Sequence, residues 1–584
     1  MSFSTRSKVS IILSAVTILT LVSAFMVTIV SRGTASHAAS TPPTTASYQG
    51  TTIKSHVLAT SKNFLSSGSS ATATAQQKDP RYIPYRSPGK QNSSGPNALA
   101  RGAPRASGSA LSATEGALAS NFDGLSDTQN KAVAGFHDTP PDQGLCVGFL
   151  PTPGSTKVVI EVVNSIFGIY TTGGTLLKSF TLTTGFMDPN AFSDPRCFYD
   201  TSTHSFYMTV ISCFSCFGPN DSVDDVLVVD GITGFATTYQ FDTSVGGTCF
   251  GDQPHTGYDS HALYVATDEF CGPGDNTYSG ALLIGISKSQ LAAQGPTPNA
   301  VSFPLLSLGG VPILTLQPAF GNNSSKEYLL NSFPFDQFGN SNSIANTLGF
   351  WAVQGDANIT TGSGPVTLNG RIIGSETYAF PMPAASTGNG TTPSGSPAFV
   401  ISEPFLQPDD SRMQQVQAVN NSGDIDLYAS LPTALNIPGD PSARDGVAWF
   451  KIDAESHTFE AQGYVAVAGA YLLYPAILHT RGGTTTMAFT ITSPTINPSA
   501  AYTVMPSTST SFGAIKIAAA GTGPHVSFSD ILFGRARWGD YSAEELDPNG
   551  LDIWSATEYI GPPPGGTDTI DNWGTRIWDV TGNH

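Results

Sequence analysis

The chain has 584 residues, 40% of them hydrophobic and only 12% charged, against roughly 25% charged in ordinary globular domains. Its net charge of −18 conceals two unlike parts, since residues 1–135 sum to +8 and residues 136–584 to −26. So acidic a body repels phosphate backbones and excludes nucleic acid as a partner, and the low share of Glu, Lys and Leu excludes a long helical architecture.

Arg6 and Lys8 precede an uncharged apolar run from Val9 to Val30, followed by Ser36-His37-Ala38-Ala39. This is the layout of an export signal, with the charged end held in the cytoplasm. The run exceeds the roughly 7–15 residues of a signal-peptide core and reaches the roughly 18–20 that span a bilayer. Residues 1–38 are therefore expected to be a cleaved signal peptide or an N-terminal apolar helix that anchors the protein in the membrane. Residues 39–120, rich in Ser, Thr, Ala and Gly, are expected to form a disordered linker. A loose coil of that length spans roughly 50 Å.

Order is expected from Asn121-Phe122-Asp123-Gly124-Leu125, and residues 121–584 form one folded domain. Lys157–Tyr170 runs through a Thr172-Gly173-Gly174 turn into a second apolar stretch, which predicts a hairpin. Further hairpins are predicted with turns at Thr201–His204, Asp230–Gly234 and Asp453–Ser456. A weak repeat joins them: a polar residue, an apolar strand, a turn with Asp, Asn or Gly, and another apolar strand. It opens near Asp142, Asp194, Asp252, Gln317, Arg412, Tyr474 and Asp540, at intervals of 52, 58, 65, 95, 62 and 66 residues. Such spacing in an all-β chain predicts a β-propeller of seven blades, with six or eight as alternatives. The long interval holds a low-complexity stretch, Ala384–Pro397, that reads as a surface insertion.

All six cysteines, Cys146, Cys197, Cys213, Cys216, Cys249 and Cys271, fall in the acidic part, and an even number in an exported chain predicts three disulfides. Six cysteines allow 15 connectivities; the preferred pairs are Cys146 with Cys197 and Cys249 with Cys271. The Cys213-Phe-Ser-Cys216 spacing has neither a second CxxC nor a thioredoxin-like context, which favours a structural bridge.

The strings FDGLSD, PPDQGLCVG with EVVN, DPRCFYD, GDQPHTGYDSHALYVATDEF, DDSRMQQV and RWGDYSAEELDPNG together resemble uncharacterised exported bacterial proteins with a sialidase-like β-propeller domain. The resemblance covers about residues 122–580 and implies the fold and display outside the cell. The catalytic pattern of sialidases is absent. Asp547-Pro-Asn-Gly550 followed by Trp554 is a distorted relative of the S-x-D-x-G-x-x-W Asp box, and Arg81-Tyr-Ile-Pro84 falls in the linker.

In a propeller the starts of the innermost strands meet at one mouth of a central channel. Asp142, Asp194, Asp252 and Asp540 are thereby candidates for one ligand-binding cluster, with Arg196, His255, Arg412, Tyr474, Arg537 and Tyr541 beside them. Carboxylates could supply the acid and base of glycoside cleavage, and arginines could clamp an acidic sugar. Asp and Arg at such turns equally serve to bond backbone groups, so no residue is assigned a catalytic role. Calcium is the cofactor candidate, held by channel carboxylates or by the loop Asp221-Ser-Val-Asp224-Asp225. HExxH and G-x-S-x-G signatures are absent. The sequence thus describes a monomeric binding protein, secreted or anchored to the outer face of the cytoplasmic membrane and recognising a glycan or cell-surface polymer. A sialidase-like glycoside hydrolase is the alternative.

Overall fold

Short β-branched and aromatic runs, several of them closed by an Asp that caps its own turn, set the architecture. Asp230 Oδ1 accepts from the amides of Ile232 and Thr233 at 2.8 and 2.7 Å, and Asp453 Oδ1 accepts from Glu455 and Ser456 at 2.9 and 2.7 Å. Each carboxylate replaces the backbone partners that a tight reversal leaves unpaired. In a computed structural model, which describes residues 44–66, 103–112 and 118–581 apart from short internal stretches at 153–154, 214–221, 273–276, 322–324, 334–343, 529–536 and 563–569, these hairpins link into antiparallel meanders.

There are seven four-stranded meanders among the described residues: 144–181, 191–242, 249–308, 317–379, 416–465, 471–519 and 543–581. The last takes its fourth strand, Ser120–Ser126, from the other end of the domain, paired with Gly574–Thr581. Short parallel contacts, Tyr258 with Phe320 and Phe320 with Gln417, merge three meanders into one 15-stranded sheet. The first strand of every meander touches the first strand of the next, and the seventh returns to the first. Those strands therefore surround a common axis.

The cores lie between neighbouring meanders. Phe198, Tyr207 and Val226 of the second pack against Leu263, Val265 and Ile284 of the third; Val447 and Trp449 of the fifth pack against Leu472, Met487 and Phe489 of the sixth. Closure comes from Trp554, Ala556 and Ile577 of the seventh, which share a core with Leu145, Val147, Val159 and Tyr170 of the first. A sheet that is apolar on both faces can be buried only between two others, which is the physical logic of a β-propeller.

Two disulfides fall on the preferred pairs. Cys146–Cys197 joins the first strands of the first two meanders, and Cys249–Cys271 crosses the third. Cys213 is also disulfide-bonded, whereas Cys216 lies outside the described residues.

The linker expectation fails over residues 45–61. Thr45–Gln49 adds a strand to the fourth meander, Thr51–Ile53 to the third and His56–Ser61 to the second. Phe64 then inserts, fully buried, beside Phe167 and Phe180 of the first, with ring centroids 6.0 and 5.4 Å away. Farther on, Arg105 bridges to Asn436 and Leu111 to Ile515. The segment is a belt on the outer edges. Its apolar residues alternate with Ser and Thr, which suits a strand with one covered face, but they are too few and too small to announce one. No helix among the described residues is long and apolar enough to cross a membrane; the apolar run and the predicted cleavage region, residues 1–38, lie outside them.

Candidate functional site

In or shortly before the first half of six first strands the backbone enters the left-handed region at a residue other than glycine: Asp142, Asp194, Gln253, Thr315, Asp409 and Tyr474, with φ between 46° and 56°. Each such residue costs of order 1 kcal/mol, and the cost is greatest for β-branched and bulky side chains such as Thr315 and Tyr474. In the third and sixth meanders a register shift accompanies it, between Asp252 and His255 and between Leu473 and Ala476. The repeated kink turns polar side chains toward the axis, and they are buried there. Asp142, Arg412, Tyr474 and Asp540 are each at most 2% exposed.

The ten candidates form one electrostatic neighbourhood. Asp142 Oδ1 accepts from the Asp540 amide at 2.6 Å and Asp142 Oδ2 from Asn164 Nδ2 at 2.7 Å. Asp540 Oδ2 accepts from Gln253 Nε2 at 3.0 Å, and its Oδ1 lies 3.5 Å from Arg537 Nη2. Arg412 donates in bidentate fashion to Asp410, Nε and Nη2 each at 2.9 Å, and its Nη1 donates to Gln253 Oε1. Tyr474 OH donates to the Gln407 carbonyl at 2.8 Å. The Arg196 guanidinium lies 3.2 Å from the centre of the Tyr541 ring, and His255 meets the same ring edge-on at 5.8 Å. Asp252 Oδ1 accepts from the amide of Gln253 at 3.1 Å.

Burial and crowding set the protonation of this cluster. Burial, reinforced by the charge of Asp540, pushes Asp142 up to about 7. Burial also holds Asp194 well above the usual carboxylate range, with Asp142, Asp252 and Asp540 acting in the same sense. Asp409 is raised by burial and then by Asp540, despite Arg412 and Arg537 nearby. His255 is held well below its ordinary value by burial, with the Arg196 and Arg412 charges adding to it. Asp194 stands apart, because its carboxyl has no hydrogen-bond or ion-pair partner among the described residues.

Residue by residue, the sequence missed Asn164, Gln253, Asp409 and Asp410. Asn164 lies in a turn, where its side chain donates to Asp142 and its Oδ1 accepts from the Asp194 amide at 2.8 Å. The acids at 409–410 stood beside Arg412 in the DDSR string, and that adjacency was the available signal. They leave the long insertion, which forms two short ladders and packs Ala384, Ala385 and Leu406 against Leu473, Tyr474 and Trp538. The distorted Asp box is structural: Asp547 Oδ2 accepts from Trp554 Nε1 at 3.1 Å and from Lys157 Nζ at 2.7 Å.

For calcium, the described residues contain no group of three or more His, Cys, Asp or Glu arranged to hold a metal ion. Asp221 of the proposed loop lies outside them, and Asp224 and Asp225 are buried within the strand Ser222–Asp230. At the opposite end of the axis, a cleft of about 530 Å³ is lined by Tyr258, Phe320, Asn420, His479, Arg481 and Asn549, among others.

No protein-family model and no curated protein matches the chain. Among solved structures it is similar to a Trypanosoma rangeli sialidase in complex with the inhibitor DANA, at 10% identity and a TM-score of 0.33 over 75% of this chain and 58% of that one. It is also similar to a GH93 α-L-arabinofuranosidase of Fusarium graminearum in complex with arabinobiose, at 9% identity and a TM-score of 0.32 over 80% and 98%. A PL25 ulvan lyase aligns at 9% identity and a TM-score of 0.31 over 62% and 76%. The chain thus spans less than two thirds of the sialidase. These likenesses are loose, and the propeller assignment rests on the strand pairing and the shared cores described above.

Proposed function

We propose that the seven meanders are the blades of one seven-bladed propeller, carried outside the cell as a secreted or membrane-anchored monomer, and that it binds glycans at the mouth where its first strands begin. The observation that carries this reading is the Asp194 carboxyl, 6% exposed at the residue level and without a partner among the described residues, in a cluster whose other acids are engaged. A carboxyl held among arginines and amides is suited to sugar hydroxyls, which both donate and accept. Binding is favoured over cleavage because a glycosidase needs two carboxyl groups, about 5–10 Å apart, facing one substrate. Here Asp142 and Asp540 are tied to each other, to Asn164, to Gln253 and to Arg537.

One observation favours hydrolysis as a second reading: Asp194 holds its proton well above the ordinary range, as a general acid must. Screening the purified protein and its Asp194→Asn variant on a glycan array and on fluorogenic glycosides separates the two. The binding reading expects array signals that fall at least about tenfold in the variant, with no turnover by either protein. Turnover lost in Asp194→Asn establishes the second reading. Binding that survives Asp194→Asn but is lost in Arg481→Ala moves the ligand to the cleft at the far end of the axis.

A further inference from the structure

Below the mouth, the first strands line a cavity of about 50 Å³ on the axis. Five of the residues lining it each carry a buried polar atom with no hydrogen-bond partner: Gln143 Oε1, Arg196 Nη2, His255 Nε2, Gln414 Nε2 and the Tyr541 hydroxyl. A buried polar atom left unbonded costs about 1–3 kcal/mol, and native interiors hold few of them. Five such atoms on residues lining one chamber, at the starts of five different meanders, call for an occupant that bonds them. The space admits a few water-sized particles and no sugar.

Charge sorts the candidates. Arg196 donates through Nε to the Pro254 carbonyl at 3.2 Å and stacks on Tyr541, yet it forms no ion pair among the described residues. Asp194, the acid beside it, forms no ion pair with it; burial holds its carboxyl well above the ordinary range, with Asp142, Asp252 and Asp540 acting in the same sense and Arg196 against it. Burial pushes Glu544, the one acid among the lining residues, up to about 8, which favours its neutral form at pH 7. His255 is neutral as well, with Arg196 and Arg412 opposing its protonation. The chamber therefore presents one uncompensated guanidinium, a second guanidinium close by, and otherwise neutral dipoles. A cation would be repelled. Water alone would satisfy the dipoles and leave the Arg196 charge unmatched in a medium of low dielectric, which is the costlier arrangement.

We infer that the axial cavity binds a small monovalent inorganic anion of the halide class, anchored by Arg196 Nη2, with the Tyr541 hydroxyl and the Gln414 amide donating to it. Gln143 Oε1 and His255 Nε2 leave places for a companion water. The anion neutralises the axis where the meanders converge, so it acts as a structural ligand of the ring. The site shares Arg196, His255 and Tyr541 with the cluster assigned to glycans, and its test reads a halide response rather than glycan binding, so failure of one reading is distinguishable from failure of the other.

The test uses the purified protein in sodium chloride and in sodium gluconate at equal ionic strength, together with crystals soaked in sodium bromide. The expected results are a saturable rise in Tm of at least about 2 °C in chloride, and an anomalous bromide peak in the chamber. Tyr541→Phe keeps the ring under the guanidinium and removes one donor; the half-saturating chloride concentration should rise about tenfold, the effect of a hydrogen bond to a charged group. Arg196→Gln should abolish the halide response. Equal Tm values in the two salts, a chamber holding only ordered water, or an unchanged halide response in Tyr541→Phe each overturn the inference. If Arg196→Gln fails to fold, the bromide peak and the Tyr541→Phe titration decide the matter.

Discussion

The amide of Asp540 donates to Asp142 Oδ1 at 2.6 Å across 398 residues of chain, so the seventh meander is hydrogen-bonded to the turn that opens the first. The same carboxylate also accepts from Asn164 Nδ2 at 2.7 Å. Asp142→Ala strands both buried donors at once. Equilibrium unfolding in urea should show a loss of about 1–3 kcal/mol for each orphaned donor. A loss under about 0.5 kcal/mol would mean that water replaces the carboxylate and that the ring does not depend on this junction.

Arg412 is 1% exposed and matched by Asp410 in a bidentate pair. Removing one member of a buried pair leaves the other charge unpaired, so Arg412→Met should cost about 3–5 kcal/mol. The double variant Arg412→Met/Asp410→Leu should recover most of that loss, because the charge left behind by the single substitution is then gone. Chemical denaturation of the two variants side by side checks the coupling. Equal losses would deny it.

Trp554 tests ring closure. Its indole packs with Leu145, Val147 and Tyr170 and donates to Asp547. Trp554→Ala should cost about 3–5 kcal/mol by opening a cavity between the first and seventh meanders. Trp554→Phe retains most of the packing and should cost about 1–2 kcal/mol through the lost hydrogen bond. The thermal midpoints should fall in that order, and the reverse order would show that packing at this seam is of little account.

Stability should decline as pH rises from 5 to 8. Burial raises Asp138 to about 6, Asp142, Glu161 and Asp268 to about 7, and Asp224 and Glu544 to about 8. An acid whose folded value exceeds its unfolded one binds its proton more tightly when folded. Its stabilising contribution is complete below the unfolded value, near 4, and is lost as pH climbs through the folded value. His255 and His479 oppose this below about pH 6.5, since burial holds both neutral, His479 down to about 4. Scanning calorimetry between pH 4.5 and 8.5 should place the highest Tm near pH 5–6, with a drop of several degrees by pH 8. A maximum above pH 7.5 would contradict the burial of these carboxyls.

Phe64 anchors the belt edge-on against the stacked rings of Phe167 and Phe180. Phe64→Ala should cost about 3–5 kcal/mol if the belt stays bound, and less if the belt detaches and its strands become cleavable. Limited proteolysis with mass readout distinguishes the two outcomes. New cuts within residues 45–61 at an unchanged core Tm would show that the belt unlatches as a unit.

What the sequence by itself determined is local. The hairpins turn at Asp200, Asp230, Asp453 and Asp547 because a carboxylate two residues before an unpaired amide needs no distant partner, and each accepts such a bond. The repeat could be read for the same reason. Asp142, Asp194 and Tyr474 stand at the kinked residue itself, and Gln253 and Asp409 lie one and three positions from the expected Asp252 and Arg412. Only the tertiary structure decided which acids pair. Asn164 joins Asp142 to Asp194, and Gln253 joins Asp540 to Arg412, through contacts between residues that are remote in the chain. The belt was hidden for a related reason. Its strands gain their stability from edges that other parts of the chain provide, so residues 45–61 carry too little apolar pattern to reveal themselves alone. Burial, likewise, exists only once the meanders close around the axis, and it is burial that turns ordinary aspartates into proton-holding ones.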